Sequence, residues 1–261
     1  MTETKRQTEF VSDANRRFLD SIIVERGPIP LLGRLFLQAV TELAALGLEI
    51  EEVSPEELLK ANLANSDNWL PLVQVFDPRW SEVDKENMLA IAIRRGGHVV
   101  GAHAVRRFDW TATTFHDEIE SYRFLYRDPS EQMQPGEKVT ITAKVARNIS
   151  GVVGFSGAAW IHPEERGRGL SHILPRIAKG LALGRWGVER IVAIMNEGIF
   201  NKGFAPRFGY QGIDWGLAYE NSRCGMKYLA ILWMDRVDLE AYMTTFLTDT
   251  SSAQAVRLRG N

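Results

Sequence analysis

At residues 163–171 the chain reads PEERGRGLS, two arginines alternating with two glycines just ahead of a long apolar helical pattern. Residue types in that order can hold an anion. Glycine lets the backbone approach a ligand closely and adopt positive φ. The start of the following helix presents unpaired N–H groups and about half a positive charge. Arg166 and Arg168 add charge and forked donors. The expected ligand is a phosphate or diphosphate; the competing reading is a solvated turn. The loop is neither a Walker loop, whose GxxxxGK[ST] string is absent, nor a dinucleotide fingerprint, whose three-glycine spacing is absent.

Composition narrows the alternatives. The chain has 261 residues, 45% hydrophobic and 25% charged, in the range of an ordinary globular protein. Its formal net charge of −2 supplies no global basic field, so a nucleic-acid partner is not expected and any anion site must be local. The single cysteine, Cys224, excludes an intrachain disulfide and a Cys-rich zinc site. The five histidines show neither HxxxH nor HxH spacing, so no metal is expected. The segment MTETKRQTEFVSDANRR is polar and has no leader-like apolar stretch, and a cytoplasmic location is expected. IPLLGRLFLQAVTELAALGLEI is interrupted by Arg34, Gln38 and Glu42, which makes it an amphipathic core or dimer helix rather than a membrane span.

The elements that must position the loop follow from periodicity. Two helices are expected in the first fifty residues, one capped at Ser12-Asp13 and running to about Glu25, the next opened by Pro30. A strand at 48–53 precedes a helix start at Ser54-Pro55-Glu56-Glu57. Residues 88–108 read as a hairpin around Arg95-Gly96-Gly97. In 109–148, FHDEIESYRFLYRD fits helix or strand and VTITAKV alternates like a strand. ISGVVGFSGAAWI is an apolar strand leading into the glycine loop; Ile173, Leu174, Ile177, Ala178, Leu181 and Ala182 then recur at helical spacing, with Pro175 one turn in, where it can bend the helix. VERIVAIMN reads as a buried strand, 197–206 as a short helix, MKYLAILWMD as the last strong strand and VDLEAYMTTFL as a terminal helix, followed by a polar tail. Strand, loop, helix, strand from residue 150 describes a parallel pair with a helical crossover, and ligands of such units gather beyond the carboxyl ends of the strands.

Residues 161–171, IHPEERGRGLS, resemble the acyl-CoA signature of the GCN5-related N-acetyltransferase (GNAT) superfamily, Arg/Gln-x-x-Gly-x-Gly/Ala. Arg166, Gly169 and Ser171 stand at its fixed positions, Ser171 in place of the usual Gly or Ala. Downstream, Asn196, a short helix and Gly209-Tyr210 resemble the family's Asn, helix and Gly-Phe; the resemblance spans roughly 48–235. It implies an α/β (α+β) fold with a mixed, mostly antiparallel central sheet, splayed at the cofactor site and flanked by helices. Around it the domain plan is an N-terminal helical extension (1–47), an acyltransferase domain (48–247) carrying an insertion (109–148), and a polar tail (248–261).

The resemblance further implies acetyl-CoA, or another acyl-CoA, as co-substrate, with no metal. Its pantetheine would run along Ala159, Trp160 and Ile161, and its diphosphate would rest on Arg166, Gly167, Arg168, Gly169, Leu170 and Ser171, with Asn196 and Phe204 completing the cofactor site. The implied activity is direct acyl transfer to a small-molecule or peptide amine, in a monomer or homodimer, with no membrane partner. The catalytic groups are not assigned. The family's frequent acid, a Tyr four residues before Gly-Phe, is replaced by Ala205 with Phe204 beside it; Tyr210 and Tyr219 are the alternatives. Base candidates are His103, His116, Glu118, Glu120 and His162, while Cys224 has no identifiable base. The missing Tyr favours a second reading, a non-catalytic acyl-CoA sensor or scaffold; a third is a plain phosphate- or nucleotide-binding α/β protein. The insertion is expected to form part of the acceptor pocket or a lid, or else a dimer contact or an extension of the sheet.

Overall fold

Ser12 accepts a hydrogen bond from the backbone of Asn15 and caps the first helix, α1 (Asp13–Ser21), in a computed structural model that describes residues 11–223 and 225–259. Cys224 lies outside the described residues. Helix α2 (Ile29–Ala45) carries Pro at its start and buries Leu32, Leu35, Phe36, Ala39 and Leu43 along one face. Strand β1 (Glu49–Val53) leads to α3 (Pro55–Ala64), where Ser54 and Glu57 form the reciprocal capping box that Ser-Pro-Glu-Glu predicts. The hairpin is β2 (Met88–Arg95) and β3 (His98–Trp110). The insertion holds α4 (Phe115–Glu120), one turn of α5 (Pro129–Gln132) and β4 (Lys138–Ile141). Then come β5 (Gly151–Ile161), α6 (Leu170–Trp186), β6 (Arg190–Asn196), single turns α7 (Glu197–Phe200) and α8 (Phe204–Arg207), β7 (Gly212–Ser222), β8 (Gly225–Asp235) and α9 (Arg236–Arg259).

The strands form one eight-stranded sheet in the order β1-β2-β3-β5-β6-β8-β7-β4. Only β5 and β6 pair in parallel; the other neighbours are antiparallel. That agrees with the mixed, mostly antiparallel expectation. Alternation along the strands sends side chains to two cores. One packs α2, α6 and α9 against the sheet, and Phe18 of α1 joins it, so the N-terminal helices and the sheet share one interior. Gly180 of α6 faces Leu35 and Phe36, where an added Cβ would come within 2.9 Å of the Leu35 side chain. The second core, on the opposite face, is rich in aromatic rings: Trp69, Phe76, Trp110, Phe115, Phe124, Phe155 and Trp160.

Three local expectations are corrected, and one strand was missed. Helix α1 ends at Ser21, short of Glu25. The single helix expected at 197–206 is two turns, separated where Gly203 takes φ +73. VTITAKV is a strand only to Ile141, and Lys144–Asn148 is a 3-10 turn. Strand β7 was not anticipated, because its Gly212, Asp214, Gly216 and Asn221 resemble turn chemistry. The fold puts two of those glycines to other use. A Cβ at Gly212 would fall 2.0 Å from the Trp233 ring, and one at Gly216 would fall 2.8 Å from the backbone of Ala143.

Candidate active site

Strands β5 and β6 pair only where Val153, Gly154 and Phe155 meet Arg190, Ile191 and Val192. Both continue, β5 to Ile161 and β6 to Asn196, without further partners between them, so the sheet opens at their carboxyl ends. On its other side β5 stays paired to β3 but carries a bulge: Ala102 pairs with Trp160 and Ala104 with Gly157, leaving Ala158 and Ala159 opposite His103 alone. Ala158 takes φ +50 there, a left-handed conformation that a residue with a Cβ adopts at a cost.

A cavity of about 860 Å³ fills this opening. Its walls come from both cores, Leu170, Leu174 and Tyr210 from one and Phe76, Ala102 and Trp160 from the other, so it passes through the sheet. Of the expected cofactor residues, Ala159, Trp160, Ile161, Arg166, Gly167, Gly169, Leu170, Ser171 and Phe204 line it together. Two do not. The Asn196 side chain accepts from the Ile199 backbone at 2.9 Å and caps α7. Arg168 turns to Glu165, 3.5 Å away. Glu165 is buried and also accepts from Arg95 at 2.9 Å, a hydrogen bond that holds its carboxyl below the usual range. The glycine loop is therefore pinned from behind by an Arg95–Glu165–Arg168 cluster while Arg166 stays on the cavity side, its Nε donating to the Ile161 carbonyl at 3.2 Å.

Gly167 and Gly169 take φ +80 and +82, and a Cβ on either would meet nothing within 4 Å. Conformation, not space, requires glycine at both. Gly169 is the N-cap of α6 and offers no capping side chain, so the first amides of the helix face the cavity mouth. Helix α6 runs through Pro175, which itself lines the cavity.

At the narrow part of the opening three polar side chains meet. His103 Nε2 lies 2.8 Å from Ser156 Oγ, and the Tyr210 phenol lies close to the Ser156 hydroxyl. All three are buried and line the cavity. Burial, aided by nearby Lys179, lowers the His103 pKa to about 3, so this imidazole is neutral at physiological pH and a poor proton acceptor. Burial raises the Tyr210 phenol, which stays protonated and can donate. Lys179 is fully buried, donates to the Phe208 carbonyl at 2.6 Å and sits 4.0 Å from the Tyr210 ring centroid, which fixes the turn that delivers Tyr210. Burial pushes its ammonium well below the usual lysine range.

The other candidates lie elsewhere. Tyr219 is buried outside the cavity wall. His116 is buried near Asp117 and Glu120, Glu118 pairs with Arg123 at 2.7 Å, and His162 accepts from the Glu164 backbone; none lines the cavity. Ala205 is buried and carries no donor. Ser156 was missed in the sequence; its only signal was one hydroxyl inside an apolar strand. No group of three or more potential metal ligands occurs among the described residues.

No protein-family model matches the chain, and no curated protein matches it either. Solved structures similar to it include Arabidopsis thaliana NAA60 in complex with a bisubstrate analogue (10% identity, 72% of this chain and 97% of that one, TM-score 0.46). Others are a spermidine N-acetyltransferase from Vibrio cholerae (9%, 76% and 97%, 0.41) and an acetyltransferase of the GNAT family from Streptococcus pneumoniae (12%, 72% and 99%, 0.40). The chain's own architecture agrees with the resemblance in its loop: a mostly antiparallel sheet, opened beside the one parallel pair, with a bulged strand and a glycine-capped helix at the opening.

Proposed function

We propose that the chain is an acyl-CoA-dependent N-acyltransferase that moves an acetyl group from acetyl-CoA to an amine by direct attack. The observation that carries this reading is the cavity through the sheet, bounded at one end by Arg166 and the start of α6 and at its waist by a bulged strand and a buried hydroxyl pair. Arg166 and the first amides of α6 would hold the diphosphate. Backbone N–H groups freed by the bulge at Ala158 and Ala159 are suited to polarise a thioester carbonyl. The attacking amine becomes an amide and loses one proton; the departing thiolate gains one from the protonated Tyr210 phenol, and the proton lost by the amine restores that phenol. Ser156 and His103 position that phenol. His103 does not serve as base, since accepting a proton would bury a cation beside Lys179.

Calorimetry with acetyl-CoA and CoA tests the donor half, and thiol release with a library of amines tests the acceptor half. Arg166→Ala is expected to weaken CoA binding by roughly 2–3 kcal/mol, the scale for a charge-assisted hydrogen bond. Arg168→Ala should cost less, because its partner is Glu165. Equal losses would place the diphosphate elsewhere. Tight binding with no turnover for any amine would favour the sensor reading that Ala205 keeps open.

A further inference from the structure

The charges around the cavity are one-sided. Among the described lining residues Glu165 is the only carboxylate, and it is already committed to Arg95 and Arg168. Arg166, Lys202 and Arg207 supply positive charge to its lining. The end that reaches the opposite face of the sheet is walled by Val73, Phe76, Ala102, Phe155, Trp160 and Ile194, with no ionisable group among them. Asp77, one residue beyond Phe76, is buried and held by Arg79 at 2.6 Å and 2.9 Å. This wall is not loose. Arg106 donates to the carbonyls of Val75 and Glu82 at 2.9 Å and 3.0 Å, and Trp160 Nε1 donates to the Asn68 carbonyl at 3.2 Å.

A second ammonium group brought into such an end finds no counter-charge, and burying an unpaired cation is costly. A lone ammonium entering it is desolvated, which lowers its pKa and favours the neutral, nucleophilic amine. The site thereby supplies by environment what a carboxylate base supplies elsewhere, and among the described residues no carboxylate other than Glu165 lines it. We infer that the acceptor is a primary amine borne on an uncharged, apolar body, and that polyamines and other polycations are excluded. This rests on the acyltransfer reading above.

Hexylamine and hexamethylenediamine separate the possibilities, since they share a chain and differ by one ammonium. With acetyl-CoA and the full-length protein, thiol release should give hexylamine a kcat/KM at least about tenfold higher. A smaller ratio, or a reversed one, overturns the inference while leaving acyl transfer intact. Release with neither of these amines but with another amine of the library overturns the inference alone; release with no amine, in a protein that binds acetyl-CoA by calorimetry, overturns acyl transfer and the inference with it. Val73→Asp places a carboxylate at the apolar end and should move the ratio toward the diamine; a variant that binds acetyl-CoA normally with an unchanged ratio overturns the placement of the acceptor there.

Discussion

Arg166 and Arg168 are equivalent in the sequence and differ in the fold, because only one of them has Glu165 beneath it. The same scale governs proton chemistry. Tyr210 occupies the place of an expected Phe, yet its hydroxyl reaches Ser156. Tyr210→Phe keeps the ring and removes the donor, so kcat should fall roughly 100-fold with the KM for acetyl-CoA changed less than about twofold. A matching rise in KM would make the residue a binding group instead. His103 links the site to stability. The unfolded chain protonates this imidazole near 6.5, whereas in the fold it does so only at about 3. Between those values the unfolded state holds more protons, so stability is complete above pH 6.5 and falls as pH drops toward 3. The slope is about 1.4 kcal/mol per pH unit. His103→Gln removes this contribution. Urea unfolding from about pH 7 to about pH 5 should show the variant losing roughly 2 kcal/mol less than the wild type. Parallel losses would mean that other groups set the acid limit.

At the scale of elements, the junction of β5 with the 3-10 turn Gln74–Phe76 is the sensitive point. A Cβ at Gly157 would come within 2.5 Å of the Phe76 ring, and Phe76 is itself buried against Phe155. Gly157→Ala should therefore cost about 1–3 kcal/mol, the range for overpacking, seen as a lowered denaturant midpoint at constant slope. A midpoint unchanged by the substitution would show that Phe76 can move aside. Of the alternatives for the insertion, the extension of the sheet is the one the structure shows. None of residues 109–148 lines the cavity; β4 extends the sheet beyond β7, and Phe115 and Phe124 enter the aromatic core. The cavity wall on that face comes from the segment around Val73 and Phe76, which has no periodic signal because it is neither helix nor strand for most of its length.

For the whole molecule, the opening between β5 and β6 is a gap in a sheet that is otherwise continuously hydrogen-bonded, held apart by the two cores. A ligand that fills it binds only the folded state. Acetyl-CoA at about 100 times its Kd should stabilise the fold by about 2.7 kcal/mol. For a chain of this size that raises the melting temperature by roughly 5–10 °C. CoA should act similarly, and AMP less. No shift at saturation would separate the cavity from the ligand. Among the described residues no helix is long and apolar enough to cross a membrane.

Local chemistry was legible in the sequence. The caps at Ser12 and Ser54, the turn at Gly96-Gly97, the glycine loop and the helix after it are set by neighbours a few residues apart, and the structure reproduces them. Arg166, Gly169 and Ser171 could be read as an expected anion site because a helix N-terminus acts on its own first turn. What only tertiary structure decided is long-range. The Gly157–Phe76 and Gly212–Trp233 contacts, the Arg95–Glu165 pair and the meeting of His103 with Ser156 join residues distant in the chain, and no local pattern encodes such meetings. The same holds for the charge of the site. The sequence shows 31 basic and 33 acidic residues nearly in balance, but among the described residues burial and pairing leave one committed carboxylate and several cations around the cavity, and the proposed choice of amine rests on that local imbalance.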